Sequence, residues 1–133
     1  MAERVYCLYR GKDQESILMQ KNACHDFAEK KGWNIVGEEQ EIGVSGYKVS
    51  ADDLVKLQRI RKAAEQGELD ILLVFMYDRL GRNLNETPFI AEWFTKKGIH
   101  VWSVYEGEII DGVDAERMLD YIRFWQTDEA QKL

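Results

Sequence analysis

The sequence predicts an α/β domain of three layers, in which helices cover both faces of a mainly parallel central sheet. Short apolar runs that indicate strands alternate with longer amphipathic segments that indicate helices. Residues 69–75 are almost continuously apolar, as expected for a strand that is buried on both faces. Three predicted helices are followed by glycine, which commonly ends a helix: Gly32, Gly67 and Gly98. Strand–helix alternation with short connections favours βαβ units and therefore parallel strands.

The first half of the chain predicts two strands and two helices. Residues 4–9 form a short apolar run, which predicts the first strand. Over residues 13–31, apolar side chains recur at roughly helical spacing, so this segment predicts the first helix. An apolar run at 33–36 begins the second strand. Leucine, isoleucine and alanine recur by turns over 52–66 and predict the second helix.

The second half repeats the alternation. The apolar run 69–75 predicts the third strand, 85–97 the third helix and 99–104 the fourth strand. A last amphipathic helix is predicted to begin at residue 113. The one long irregular stretch is 41–51, and a glycine-containing loop of that length after a strand is often functional.

The composition fits one globular domain of ordinary size. The chain has 133 residues, of which 45% are hydrophobic and 32% are charged, so it can bury a real core. We find no apolar run long enough to span a bilayer and no signal segment. Cys7 and Cys24 lack metal-ligand spacing and fall in a predicted strand and a predicted helix. They are expected to be reduced core thiols in a cytoplasmic protein.

The overall charge argues against a free-standing nucleic-acid binder. The net charge is −6, whereas such proteins usually present a basic face, although a local basic patch remains compatible with an acidic chain. The sequence also disfavours a small-nucleotide or response-regulator-like domain. It has neither a phosphate-cradling glycine motif that opens a helix nor clustered aspartates after the first strand.

Charged residues follow two of the predicted strands. Asp78, Arg79 and Arg82 come just after the strand 69–75, and Arg10 follows the first strand. The carboxyl ends of parallel strands meet at one edge of a sheet, where ligands bind. Guanidinium groups form bidentate hydrogen bonds with phosphate oxygens, and they could stabilise the negative charge that develops in a phosphoryl-transfer transition state. Two interpretations stay open from these residues: a phosphate site, or a surface turn whose charges pair with one another.

A family resemblance rests on motifs that occur in order along the chain. They are Tyr9-Arg10, Ser16-Ile-Leu-Met-Gln20, Gly43-Val-Ser45-Gly46, Asp78-Arg79-Leu-Gly-Arg82 and Val104-Tyr-Glu106-Gly107. Together they resemble the catalytic domain of the serine recombinases, the resolvase and invertase family. The resemblance covers residues 1–110, and residues 111–133 resemble the start of the family's long dimerisation helix. The separate DNA-binding region that follows this helix in the family is expected to be absent from these residues.

The resemblance implies a site-specific DNA recombinase. A serine hydroxyl would attack the scissile phosphate and form a phosphoserine link to DNA, which preserves the phosphodiester energy until the strands are exchanged and rejoined. Arg10, Arg79 and Arg82 correspond to arginines that hold the phosphate. Asp78 corresponds to their acidic partner, and Gln20 to a glutamine near the nucleophile.

The resemblance also implies the partners. They are duplex DNA and further copies of the chain, joined as a dimer or tetramer through residues 113–133, with no metal, nucleotide cofactor or membrane. Lys48, in the glycine-containing loop, either contacts the DNA backbone or keeps that loop solvated.

Two residues depart from the family pattern. Lys12 stands where the family has its nucleophilic serine, and Leu54 stands where it usually has a further phosphate-binding arginine. Lysine cannot replace the serine, because the exchange needs a hydroxyl whose phosphate ester can be reversed. Ser16 is the nearest hydroxyl in sequence, so it is either a substitute nucleophile or a residue of the first helical turn. Whether the chain is an enzyme therefore stays open, and the alternative is a non-enzymatic α/β dimerisation or anion-binding module derived from this fold.

Overall fold

The computed structural model describes residues 2–42, 55–80 and 86–109, and within them the predicted alternation of strands and helices is confirmed. The elements, in chain order, are β1 (Arg4–Gly11), α1 (Gln14–Lys31), β2 (Asn34–Ile42), α2 (Val55–Glu65), β3 (Ile71–Val74), a 3₁₀ turn (Tyr77–Arg79), α3 (Glu86–Lys96), β4 (His100–Ser103) and β5 (Gly107–Ile109).

The strands form one five-stranded sheet in the order β2-β1-β3-β4-β5. The pairs β1–β2, β1–β3 and β3–β4 are parallel, whereas β4 and β5 are antiparallel. The expectation of a mainly parallel sheet is therefore confirmed. After β4 the chain turns back through Glu106 and enters β5, with Ser103 opposite Gly107.

Helices cover both faces of the sheet, and each face has its own core. On one face α1 packs against residues of β1 and β3; the buried members are Val5, Cys7, Tyr9, Ile17, Cys24, Ile71 and Leu73. On the other face α2 and α3 pack against the alternate residues of the same strands; among the buried members are Leu8, Leu57, Ile60, Leu72, Val74, Ile90 and Phe94. The alternation follows from the two-residue period of a strand, which sends neighbouring side chains to opposite faces.

Helix α1 begins and ends at residues that suit those positions. The Asp13 carboxylate accepts a hydrogen bond from the backbone N–H of Ser16 at 2.8 Å, which satisfies one of the free donors of the first turn. At the other end Gly32 is left-handed, with φ of 74°, and its N–H donates to the carbonyls of Ala28 and Glu29. These two caps fix the direction in which α1 leaves β1.

Strand β2 continues well beyond the predicted apolar run. The prediction stopped early because the second half of the strand is polar. Glu38 and Glu39 lie on opposite faces of this edge strand, and each pairs with a lysine of a neighbouring helix. The Glu38 carboxylate lies 3.5 Å from Lys21 of α1, and the Glu39 carboxylate lies 3.4 Å from Lys56 of α2. Pairing with β1 and with these cations holds a segment that hydrophobic periodicity does not identify.

Several residues singled out in the sequence lie outside the described part of the chain. They are Ser45, Lys48, Leu54, Arg82, the side chain of Asp78 and the predicted helix that begins at residue 113. Among the helices that the structure describes, none combines the length and apolar character needed to cross a bilayer.

Candidate active site at the carboxyl edge of the sheet

Arg10 lies near the end of β1, at the edge where the parallel strands finish. It is only 7% exposed, although arginine is almost never fully buried in proteins unless it is paired. Its neighbour across the β1–β2 ladder is Glu41. Strand β1 thus places the nearly buried Arg10 at the edge of the sheet where ligands of this fold bind.

Gln20 of α1 holds the peptide backbone of Arg10 from both sides. The Arg10 N–H donates to Oε1 of Gln20 at 3.1 Å, and Nε2 of Gln20 donates to the Arg10 carbonyl at 2.9 Å. The Gln20 side chain is completely buried. Its amide provides the Arg10 N–H and carbonyl with the hydrogen-bond partners that a neighbouring strand would otherwise supply. We call this pair of hydrogen bonds the Gln20 clamp.

The Ser16 hydroxyl lies beside this clamp. Nε2 of Gln20 also donates to Oγ of Ser16, at 3.3 Å. Ser16 packs closely against the strand end, since a Cβ added to Gly11 would come within 2.6 Å of Oγ. Glycine at position 11 therefore allows the hydroxyl to approach the backbone next to Arg10. Ser16 belongs to the first turn of α1 and also lies at the site, so both sequence interpretations fit its position.

Lys12 is exposed in the bend between β1 and α1. Its neighbour Asp13 caps α1, so the chain passes from the strand to the helix within two residues. That short connection brings Ser16 close to the end of β1.

Arg79 reaches the same place from β3. It ends the 3₁₀ turn that follows this strand, and its Nη1 donates to the carbonyl of Arg10 over a long contact of 3.5 Å. The carbonyl of Arg10 therefore receives donors from both Gln20 and Arg79. Of the sequence-predicted site residues, the structure brings together Arg10, Ser16, Gln20 and Arg79.

The β4–β5 hairpin contacts the turn that carries Arg79. The backbone N–H of Tyr77 donates to both carboxylate oxygens of Glu106, at 3.3 and 3.2 Å, and the Tyr77 hydroxyl donates to the carbonyl of Gly107. Sequence reasoning missed these contacts. The available signal was that Glu106 follows a strand whose carboxyl end lies beside that of β3.

The two cysteines pack together away from this edge. Both are buried and carry no disulfide. The pKa of the Cys24 thiol is raised, chiefly by a hydrogen bond with Cys7 and secondly by burial. Burial likewise raises the pKa of the Tyr9 hydroxyl in the same core. Cys24 and Tyr9 are therefore neutral at physiological pH, and a neutral thiol is a poor nucleophile.

The chain matches a known protein family along most of its length. The family model described as the resolvase N-terminal domain matches residues 10–129. The search of curated proteins found no match.

Solved structures of recombinase domains share the fold. The N-terminal catalytic domain of TP901-1 integrase is 25% identical, with a TM-score of 0.74, and the match covers 93% of this chain and 96% of that one. The C-terminal catalytic domain of ISC1926 TnpA, an IS607-like serine recombinase, is 23% identical, with a TM-score of 0.67 and coverage of 91% and 79%. A resolvase family site-specific recombinase from Streptococcus pneumoniae is 19% identical, with a TM-score of 0.73 and coverage of 98% and 92%.

Proposed function

Because the chain belongs to the resolvase N-terminal domain family, the catalytic domain of the serine recombinases, we propose that its carboxyl edge binds a phosphodiester of duplex DNA and that Ser16 attacks it. The supporting observation is the position of the Ser16 hydroxyl, which lies against the Arg10 peptide that Gln20 and Arg79 also contact. This family membership favours the recombinase interpretation over a free-standing anion-binding module.

The two arginines would bind the phosphate. Arg10 brings a nearly buried guanidinium from β1, and Arg79 brings a second from the turn after β3. Two such groups can hold non-bridging phosphate oxygens and neutralise the charge that develops as the phosphorus becomes five-coordinate. Arg82 and Lys48 complete this proposal as further phosphate ligands, and Asp78 as the acidic partner of the arginines.

The chemistry would be a reversible transfer to a hydroxyl. A bond forms between Oγ of Ser16 and phosphorus, the bond from phosphorus to the leaving strand breaks, and the hydroxyl proton passes to the leaving oxygen. One phosphate ester replaces another, so attack by a new strand's hydroxyl can rejoin the DNA. No metal or nucleotide enters this balance.

Members of this family act on DNA and are generally oligomeric. For this chain we propose a dimer or tetramer in the cytoplasm, assembled through residues 113–133. Light scattering of the full chain and of residues 1–110 tests this. The full chain should be oligomeric and the shorter one monomeric, and the same number of subunits in both would contradict the role of 113–133.

The test of the chemistry uses an activated phosphodiester, bis(p-nitrophenyl) phosphate, which needs no DNA target sequence. The protein is incubated with this compound and digested, and its peptides are analysed by mass spectrometry. We expect a phosphoryl adduct on Ser16 that is lost in Ser16→Ala and retained in Lys12→Ala.

The second candidate function is a phosphate-binding module without catalysis, which the lysine at position 12 favours. No adduct, together with DNA binding that depends on Arg79, would establish this candidate and overturn the role of Ser16. DNA binding that is unaffected by Arg79→Ala would contradict the phosphate site itself.

A further inference from the structure

The 3₁₀ turn that presents Arg79 lacks a cap from its own segment. Met76 precedes the turn in an extended conformation and provides no side-chain hydrogen bond. Within the turn, the Arg79 N–H donates to the Met76 carbonyl at 2.9 Å and the Leu80 N–H donates to the Tyr77 carbonyl at 3.0 Å. The first N–H, that of Tyr77, has no acceptor within the turn, as is general at helix starts.

Glu106 supplies the missing acceptor from another part of the chain. Both of its carboxylate oxygens lie within 3.3 Å of the Tyr77 N–H. A carboxylate is a strong acceptor, and its negative charge suits the N-terminal end of a helical turn. We call this contact the Glu106 cap.

The Glu106 cap is itself fixed by the end of β4. The Glu106 N–H donates to Oγ of Ser103 at 2.7 Å, and that hydroxyl lies 3.3 Å from Oε1 of Glu106. Ser103 is completely buried, so its position is set by the core. The Tyr77 hydroxyl adds a second tie, to the carbonyl of Gly107. The turn is thus bound to the β4–β5 hairpin through both its backbone and a side chain.

We propose that Glu106 is a positioning residue for Arg79: it holds the turn so that the guanidinium points at the DNA phosphate. This rests on the proposed function of the site. Glu106 carries the same sign of charge as a phosphate, so its contribution comes from fixing the turn rather than from touching DNA. The β4–β5 hairpin would then support Arg79, which lies in the turn after β3.

The experiment measures the affinity of the full chain for a short DNA duplex by fluorescence anisotropy over a range of salt concentrations. Arg79→Ala should weaken binding and lower the slope of log affinity against log salt by about 0.9, the value for one lost phosphate contact. Glu106→Ala should lower the slope similarly, and Glu106→Gln, which keeps an acceptor oxygen, should recover most of the loss.

Glu108→Ala is the matched control. Glu108 lies in the same hairpin and its carboxylate contacts His100 at 2.9 Å, with no contact to the 3₁₀ turn among the described residues. Removing either glutamate makes the net charge less negative, which by itself favours DNA binding. Glu108→Ala should therefore bind as tightly as the unaltered chain or more tightly, whereas Glu106→Ala should bind more weakly despite the same change in charge.

A double variant separates positioning from general structural damage. If Glu106 acts through Arg79, adding Glu106→Ala to Arg79→Ala should cause no further loss of affinity. An equal loss in both backgrounds, or an unchanged salt slope in Glu106→Ala, would overturn the proposal. No effect of Arg79→Ala would instead overturn the phosphate site.

Should Glu106→Ala not fold, Glu106→Asp takes its place, since it keeps the charge but shortens the reach to the Tyr77 N–H. Glu106→Asp should lower the slope of log affinity against log salt by the same amount as expected for Glu106→Ala. A slope equal to that of the unaltered chain would contradict the role of the Glu106 cap.

Discussion

We predict a large loss of stability when the side-chain amide that forms the Gln20 clamp is removed. In Gln20→Leu the side-chain volume is nearly kept, but the N–H and the carbonyl of Arg10 each lose the partner that Gln20 supplies. An unsatisfied buried polar group costs about 1–3 kcal/mol. The carbonyl keeps its long contact with Arg79, which limits its share. We therefore expect the free energy of unfolding to fall by about 2–4 kcal/mol, a large part of the roughly 5–15 kcal/mol typical of a domain.

Urea denaturation followed by circular dichroism measures this change. With a slope of about 1–3 kcal/mol/M, the midpoint should fall by about 0.7–4 M. Asn22→Ala is the matched control because it removes an exposed amide from the same helix, and it should change the free energy of unfolding by less than about 0.5 kcal/mol. Gln20→Glu keeps one acceptor oxygen and should also be destabilised, because it cannot donate to the Arg10 carbonyl when ionised. If Gln20→Leu lies within about 0.5 kcal/mol of the unaltered chain, the clamp does not have the stabilising role assigned to it.

Two further predictions concern other contacts of the sheet. Gly11→Ala places a Cβ 2.6 Å from the Ser16 hydroxyl, so it should lower the free energy of unfolding by about 1–3 kcal/mol. Urea denaturation should show partial recovery in the Gly11→Ala, Ser16→Ala double variant, and no recovery would contradict the clash. A hydrogen bond to the Arg4 side chain lowers the pKa of Asp70, so this pair stabilises the fold above the ordinary aspartate pKa and the contribution disappears as pH falls through the lower folded-state value. The difference in urea midpoint between the unaltered chain and Asp70→Asn should therefore shrink in acid, and a difference that is constant from pH 7 to pH 2 would refute the assignment.

The elements that the sequence predicted are those whose signals are local. The strands β1 and β3 are buried on both faces and show up as apolar runs. The glycines that were expected to end helices all have positive φ: 74° at Gly32, 70° at Gly67 and 82° at Gly98. A left-handed residue after a helix is a local requirement that glycine meets at little cost, so its position can be read directly.

The elements that were missed depend on partners elsewhere in the chain. The second half of β2 is polar and is stabilised by pairing with β1. Strand β5 is only three residues long and exists because it can pair with β4. Periodicity cannot identify either of them, because their hydrogen bonds are made to distant residues.

The same distinction holds for the candidate site. The strand-end rule and the family motifs predicted that Arg10 and Arg79 lie at one edge, and the Arg79 guanidinium does contact the Arg10 carbonyl there. The way in which Gln20 holds the Arg10 peptide has no sequence signal, because it depends on tertiary distances. For the contact between Tyr77 and Glu106 the sequence gives only the position of Glu106 after a strand, and the contact itself depends on tertiary distances. The roles of Lys48, Asp78 and Arg82 stay predictions.

The two buried cysteines have a practical consequence. The chain has only two thiols, and both are inaccessible in the core between the sheet and α1. The native fold therefore offers no accessible thiol to an alkylating dye. A single cysteine placed at an exposed position such as Asn22 would carry a fluorophore selectively, without replacement of the native cysteines. Labelling kinetics of the unaltered chain would then report directly on opening of the core under native conditions, because Cys7 and Cys24 become reactive only when that core opens.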